Sequence, residues 1–195
     1  MTHVSIIGTG SMGNAIGGVL AGGGGTVDYI THDDLAHTTP TPNLKGDIVV
    51  LAVPHPAIAE VLAEVGDQLA GKTVVDITNP VNFETFNSLV VSPGSSKAAE
   101  IQAALPNSNV VKAFNTNFAA TLATKQVGGN PTTVLVAGDN ATAKSALAAA
   151  ITAGGVKAVD AGSLQRAAEL EALGFLQLTL AASEKIAWTD GFALV

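Results

Sequence analysis

The sequence predicts an α/β fold, Rossmann-like and doubly wound around a mostly parallel sheet. Two observations carry this expectation: strand-length apolar runs alternate with helix-like stretches along the chain, and those runs are continuously apolar instead of alternating. Strands of that kind are buried on both faces, as in a parallel sheet covered by helices on each side. A third observation is the opening stretch "VSIIGTGSMGNAIG", where glycines crowd the junction of the first strand and the first helix.

The elements follow in order. Residues 3–7 read as a strand and residues 11–21 as a helix, which the glycines at 22–25 end because helical dihedrals are entropically costly for them. Strands are expected at 26–30, 47–52 ("DIVVLA"), 72–77 ("KTVVDI"), 109–114 ("NVVKAF"), 132–137 ("TTVLVA") and 156–160 ("VKAVD"). Helices are expected at 56–65, with Pro56 suited to a first turn, and at 95–105, 141–153 and 164–185. The crossover "THDDLAHTTPTPNLKG" at 31–46 has no apolar stripe, so its helix should be missing or reduced to a turn. With no repeat or linker, residues 1–195 read as one domain whose C-terminal helical segment spans 161–188.

Composition narrows the function. The hydrophobic fraction of 47% suffices for a packed core, and no apolar run reaches membrane-spanning length, about 20 residues. No basic segment precedes an apolar one at the N-terminus, so a secretory leader is not expected. The absence of cysteine excludes disulfides and thiolate chemistry and fits a cytoplasmic protein. A net charge of -7 argues against nucleic acid as a partner. No His, Asp and Glu set has metal-ligand spacing, so no metal site is expected.

Gly8, Gly10 and Gly13 complete a G-x-G-x-x-G after a strand and at the start of a helix. A tight strand-to-helix turn would explain the same glycines, but in this setting each has a role toward a dinucleotide. The first permits the turn, the second admits a pyrophosphate to the backbone, and the third lets helix and strand pack closely. The segments after the first five strands are Gly8–Gly13, Thr31-His32, Val53-Pro54-His55, Thr78-Asn79-Pro80 and Asn115-Thr116-Asn117. Five small or polar clusters along one sheet edge favour a ligand crevice over a purely structural loop set.

The tip of the second strand leaves the nucleotide open. Asp33 is placed to bond ribose hydroxyls, as in NAD sites, while Thr31 and His32 could instead meet a 2′-phosphate, with Lys45 as a point charge. Arg166 is the sole arginine, so the bidentate phosphate partner is missing from this half. All these residues could also simply solvate a loop.

The segments "GTGSMGNAIG", "DIVVLAVP", "VVDITNPV", "NVVKAFNT", "TVLVAGD" and "VDAGSLQRAAELE" occur here in one order. On them the chain resembles the NADPH-dependent coenzyme F420 reductases, or F420-dependent NADP oxidoreductases, and the related N-terminal reductase domain of membrane ferric reductases. The resemblance implies NADP as cofactor, with NAD as the other possibility, and hydride transfer to F420, a flavin or a similar small-molecule acceptor. It assigns the pyrophosphate to Gly8, Thr9, Gly10, Ser11, Met12 and Gly13, and a 2′-phosphate to Thr31 and His32. Ala52, Val53 and Pro54 would pass beside the nicotinamide half, and Asn79, Pro80 and Asn115 would shape the pocket floor. His32 stands where the family has arginine, and a neutral imidazole gives one donor in place of a permanent charged fork.

Among catalytic candidates only His55 lies near a strand end, where it could protonate a reduced acceptor or merely cap a helix. His3 and His37 read as structural. Asp76 is expected to bond nearby backbone, and Arg166 to pair with Glu169 on an exposed helix face. The C-terminal helix is apolar nearly all round, which suggests burial in part against a second copy, as a homodimer. Two further readings are a dinucleotide sensor without turnover and a small imine or hydroxy-acid dehydrogenase. Only 35 residues follow residue 160 (195 minus 160), little room for the helical substrate domain that such dehydrogenases carry.

Overall fold

The computed structural model describes residues 2–37 and 42–195. The chain runs β1 (His3–Ile7), α1 (Ser11–Gly22), β2 (Thr26–Ile30), α2 (His32–His37), β3 (Ile48–Leu51), α3 (Ile58–Val65), β4 (Thr73–Asp76), α4 (Lys97–Ala104) and β5 (Asn109–Lys112). It continues through α5 (Ala119–Thr124), a small hairpin of β6 (Gln126–Val127) and β7 (Asn130–Pro131), then β8 (Thr133–Gly138), α6 (Ala141–Ala153), β9 (Lys157–Gly162) and α7 (Ala167–Ala182).

Seven strands form one sheet in the order β2-β1-β3-β4-β5-β8-β9. All neighbours are parallel except β5 and β8. The continuous apolar runs do bury both faces. Ile6, Val50, Val75 and Val111 pack on one side with Ile16 and Leu20 of α1 and Leu147 and Ile151 of α6. Their chain neighbours Ile7, Val49, Val74 and Val110 pack on the other with Val61 and Val65 of α3 and Ile101 of α4. Successive strand residues point to opposite faces, so each strand feeds both cores. Each fully buried aliphatic side chain contributes about 1.5–3 kcal/mol.

The differences from the sequence expectation have local causes. The crossover after β2 contains the six-residue α2, because Thr31 and Asp34 form a reciprocal cap: Thr31 Oγ1 donates to Asp34 Oδ2 at 2.7 Å, and Asp34 N–H donates to Thr31 Oγ1 at 3.1 Å. Residues 38–41 of that crossover lie outside the described residues, as does the side chain of His37. The C-terminal helix is shorter than expected. A single 3₁₀ turn, Leu164–Arg166, leads into α7, and Ser183 caps its end in a non-helical conformation. Strand β8 opposes β5 because α5 and the hairpin turn the chain back instead of carrying it over the sheet. His3 is indeed structural, with Nε2 2.6 Å from Asp28 Oδ2 across β1 and β2. Arg166 pairs with Glu169 on the exposed surface.

Candidate dinucleotide site

Chain order reverses at β1, whose neighbours are β2 on one side and β3 on the other. There the loops after β1 and β3 lie side by side: Ala52 N–H donates to Ile7 O at 2.8 Å, and Gly8 N–H donates to Ile30 O at 2.9 Å. Two of the three motif glycines are required by the fold, and the third is not. A Cβ on Gly8, whose φ is +111°, would sit 2.3 Å from Ala52 O. One on Gly13 would sit 2.3 Å from Gly8 O, so α1 could not approach β1. Gly10 has nothing within 4 Å and faces open space. The fold therefore explains Gly8 and Gly13, while the backbone at Gly10 lies open to the crevice.

The start of α1 tells the same story. Its N-cap Gly10 supplies no side-chain hydrogen bond and its first turn holds no acidic residue. By contrast α4 is capped by Ser96, whose hydroxyl accepts from Ala99 N–H, and α6 by Asn140, whose Oδ1 accepts from Ala143 N–H. The first N–H groups of a 12-residue helix thus point, without a side-chain cap, at the crevice, where they and the helix dipole suit an anionic diphosphate.

Two clefts flank the glycine loop. The first, about 280 Å³, is lined by Gly8, Thr9, Gly10, His32, Ala52, Val53, Pro54, Glu60 and Glu64 among others. Its mostly apolar wall fits an adenosine half, so Ala52, Val53 and Pro54 stand on that side of the loop and not, as the resemblance implied, beside the nicotinamide. Thr31 stands beside it with its N–H and hydroxyl both donated to Asp34 Oδ2, each at 2.7 Å. These bonds hold the Asp34 carboxyl below the usual carboxylate range, the backbone N–H contributing most. Lys45 is far from the role of a point charge here: it precedes Gly46, which packs against Ser5 and Val4 at the amino-terminal end of the sheet, opposite the crevice.

The second cleft, about 420 Å³, lies on the other side of the loop and is lined by Ser11, Met12, Ile77, Asn79, Asn115, Asn117, Phe118, Leu178 and Trp188 among others. Trp188 tilts over Phe118 with ring centroids 5.0 Å apart. Asn79 and Asn115 are locked together, Asn115 Nδ2 donating to Asn79 Oδ1 at 2.9 Å and Asn79 Nδ2 donating to Asn115 O at 2.8 Å. Asn115 Oδ1 and Asn117 Oδ1 are buried without a hydrogen-bond partner. Buried acceptors are rarely left unpaired, so both atoms fit a ligand carrying N–H or O–H donors.

The remaining expectations resolve as follows. Pro80 is buried and lines neither cleft, its carbonyl accepting from Val90 N–H at 2.7 Å. His55 sits in a 3₁₀ turn with Nε2 3.1 Å from Val81 O and its ring stacked on Phe83 at 5.7 Å, so it holds the loop after β4 and lines neither cleft. Asp76 does bond backbone, Oδ1 accepting from Thr78 N–H at 2.9 Å, but it also takes part in a buried cluster that the sequence reading missed. Lys112 Nζ donates to Asp76 Oδ2 at 2.7 Å, Glu171 Oε1 at 2.8 Å and Thr78 O at 2.6 Å. All three charged side chains are fully buried. Glu171 also accepts from Lys97 N–H at 2.9 Å and so ties α4 to α7. Burial pushes its carboxyl above the usual range, against the pull of Lys112. Gly174 completes the arrangement: a Cβ there would lie 2.3 Å from Asn79 Oδ1. The one legible signal for this cluster was a lysine inside an otherwise apolar strand.

No family model matches the chain. Curated relatives do, two reductases among them. It is 37% identical over 112 residues, 57% of its length, to Metalloreductase STEAP3 of Rattus norvegicus, and 30% identical over 135 residues, 66% of its length, to the F420-dependent NADP reductase of Methanocaldococcus jannaschii. The matched stretches span 22% and 59% of those relatives. Among solved structures, a putative F420-dependent NADP reductase from Arthrobacter sp. FB24 superposes over 100% of both chains, with a TM-score of 0.85 and 26% identity. Other solved reductases and dehydrogenases at 13–18% identity share the fold alone, and this chain covers 54–69% of their lengths. The resemblance read from the motifs thus stands: this chain is a Rossmann-like homologue of proteins named F420-dependent NADP reductase and metalloreductase.

Proposed function

We propose that this chain is a cytoplasmic oxidoreductase that uses a nicotinamide dinucleotide, NADP or NAD, to reduce a flat, flavin-like acceptor such as F420, FMN or FAD. One observation carries the reading: two clefts meet at one glycine loop, the first shaped for an adenosine half and the second walled by Met12, Phe118 and Trp188 over two unpaired asparagine oxygens. Bound nicotinamide supplies a hydride, two electrons and a proton, and the acceptor takes up any further proton from solvent. The chain's own part is placement. The N–H groups at the start of α1 hold the diphosphate, and Ala52, Val53 and Pro54 wall the crevice beside the loop. The Asn79–Asn115 lock, with Lys112 and Glu171 beneath it, fixes the floor. Met12, Phe118 and Trp188 give the reacting ring an apolar wall.

His55 is not needed for this chemistry and serves the loop. The half-buried outer face of α7, with Leu176 exposed, is consistent with a homodimer. Among the described residues no helix is long and apolar enough to cross a membrane. The test is to mix the protein with NADH or NADPH and follow loss of nicotinamide absorbance with F420, FMN, FAD and ferric chelates in turn. Turnover with a ring acceptor supports the proposal; tight coenzyme binding with no oxidation by any acceptor replaces it with a sensor.

A further inference from the structure

The corner of the first cleft that faces the coenzyme's adenosine ribose is unlike a site for a 2′-phosphate. Thr31 has no donor to spare, because its hydroxyl and N–H both go to Asp34 Oδ2. His32, the imidazole that lines the cleft among the described residues, has carboxylates as its charged neighbours: Asp33 Oδ1 3.9 Å from Nδ1 and Glu60 Oε1 3.7 Å from Nε2. Glu60 and Glu64, one turn apart on α3, line the same wall. No lysine or arginine lines this cleft, and the residues outside the described ones, 1 and 38–41, include neither type.

Ionised carboxylates only accept hydrogen bonds, so they complement a ribose hydroxyl, which donates, and oppose a phosphate, which also only accepts. A 2′-phosphate would bring about two negative charges against this wall. We infer that this crevice selects NADH over NADPH: the carboxylates around His32 receive the 2′-hydroxyl and repel the phosphate that replaces it. The inference rests on the reading that the glycine crevice holds a dinucleotide, and it departs from the coenzyme for which the relatives are named.

Coenzyme binding is measured directly, without acceptor, by calorimetric titration of the whole chain with NADH and separately with NADPH. The expected result is NADH at least tenfold tighter, a difference of about 1.4 kcal/mol. Raising salt from about 0.05 M to about 0.5 M should shrink that ratio, because the repulsion peculiar to NADPH is screened. Replacing both wall carboxylates, Glu60→Gln with Glu64→Gln, should shrink it severalfold as well. Equal affinities, or NADPH the tighter, would overturn the inference while leaving the dinucleotide reading intact. A ratio that grows with salt would overturn it too, since that is the behaviour of a cationic phosphate site. If neither coenzyme bound, both readings would fall together.

Discussion

Gly10→Val separates binding from folding. Gly10 has φ −69° and ψ −179°, an extended conformation that valine adopts freely, and a Cβ there meets nothing within 4 Å. The folded state should therefore tolerate the change. Valine is a poorer N-cap than glycine by roughly 0.5–1 kcal/mol, and the lost flexibility of the unfolded chain returns about 0.4–1 kcal/mol, so the net shift stays within about 1 kcal/mol. Binding should fare quite differently. The valine methyls fill the space through which a diphosphate reaches the backbone of α1. Losing one or two charge-assisted hydrogen bonds, each worth about 1.5–3 kcal/mol, weakens affinity at least about tenfold. Urea unfolding followed by circular dichroism reads the first quantity, and coenzyme titration the second. Gly13→Val is the contrast: its Cβ lies 2.3 Å from Gly8 O, so stability itself should drop by about 1–3 kcal/mol. If Gly10→Val bound NADH and NADPH as the parent does, the placement of the diphosphate would be wrong.

Three other outcomes are expected. Lys112→Met strands the buried carboxylates of Asp76 and Glu171 and should cost about 3–5 kcal/mol in urea unfolding; a loss under about 1 kcal/mol would mean that the cluster is not held by charge. Glu171 is raised by burial above its ordinary 4.5, so between that value and its folded one the native state keeps a proton that the unfolded chain releases. Its contribution to stability is thus greatest at low pH and falls as pH rises through that window; Glu171→Gln should remove this fall, and an unchanged pH profile would contradict the assignment. Trp188→Ala opens the second cleft and should raise KM for the acceptor several-fold while leaving coenzyme affinity within about twofold; equal loss of both would place the acceptor elsewhere.

Much of the site was legible because its signals are local. Gly8, Gly10 and Gly13 are spaced by the strand-to-helix turn itself, and the five clusters on the crevice edge follow directly from strands that end in register. The stretch "VVKAFNT" also has a physical reason to be distinctive: Lys112 is buried among carboxylates, Phe114 turns the chain at φ 64°, and Asn115 and Asn117 then face the second cleft. What stayed illegible depends on distance. Lys112 meets a carboxylate 59 residues away, and Gly174 matters only because α7 passes over Asn79. Lys45 looked close in the chain to Thr31, yet the strand that follows it begins at the opposite end of the sheet. The Thr31–Asp34 cap was a local signal that the polar crossover concealed.

The most direct test of the central claim is a crystal structure of the chain grown with NADH. The account predicts the diphosphate against the N–H groups at the start of α1, the adenosine beside His32 and Glu60, and the nicotinamide toward Asn79 and Asn115. A coenzyme bound anywhere else, or a crevice that stays closed to it at saturating concentration, would contradict the account.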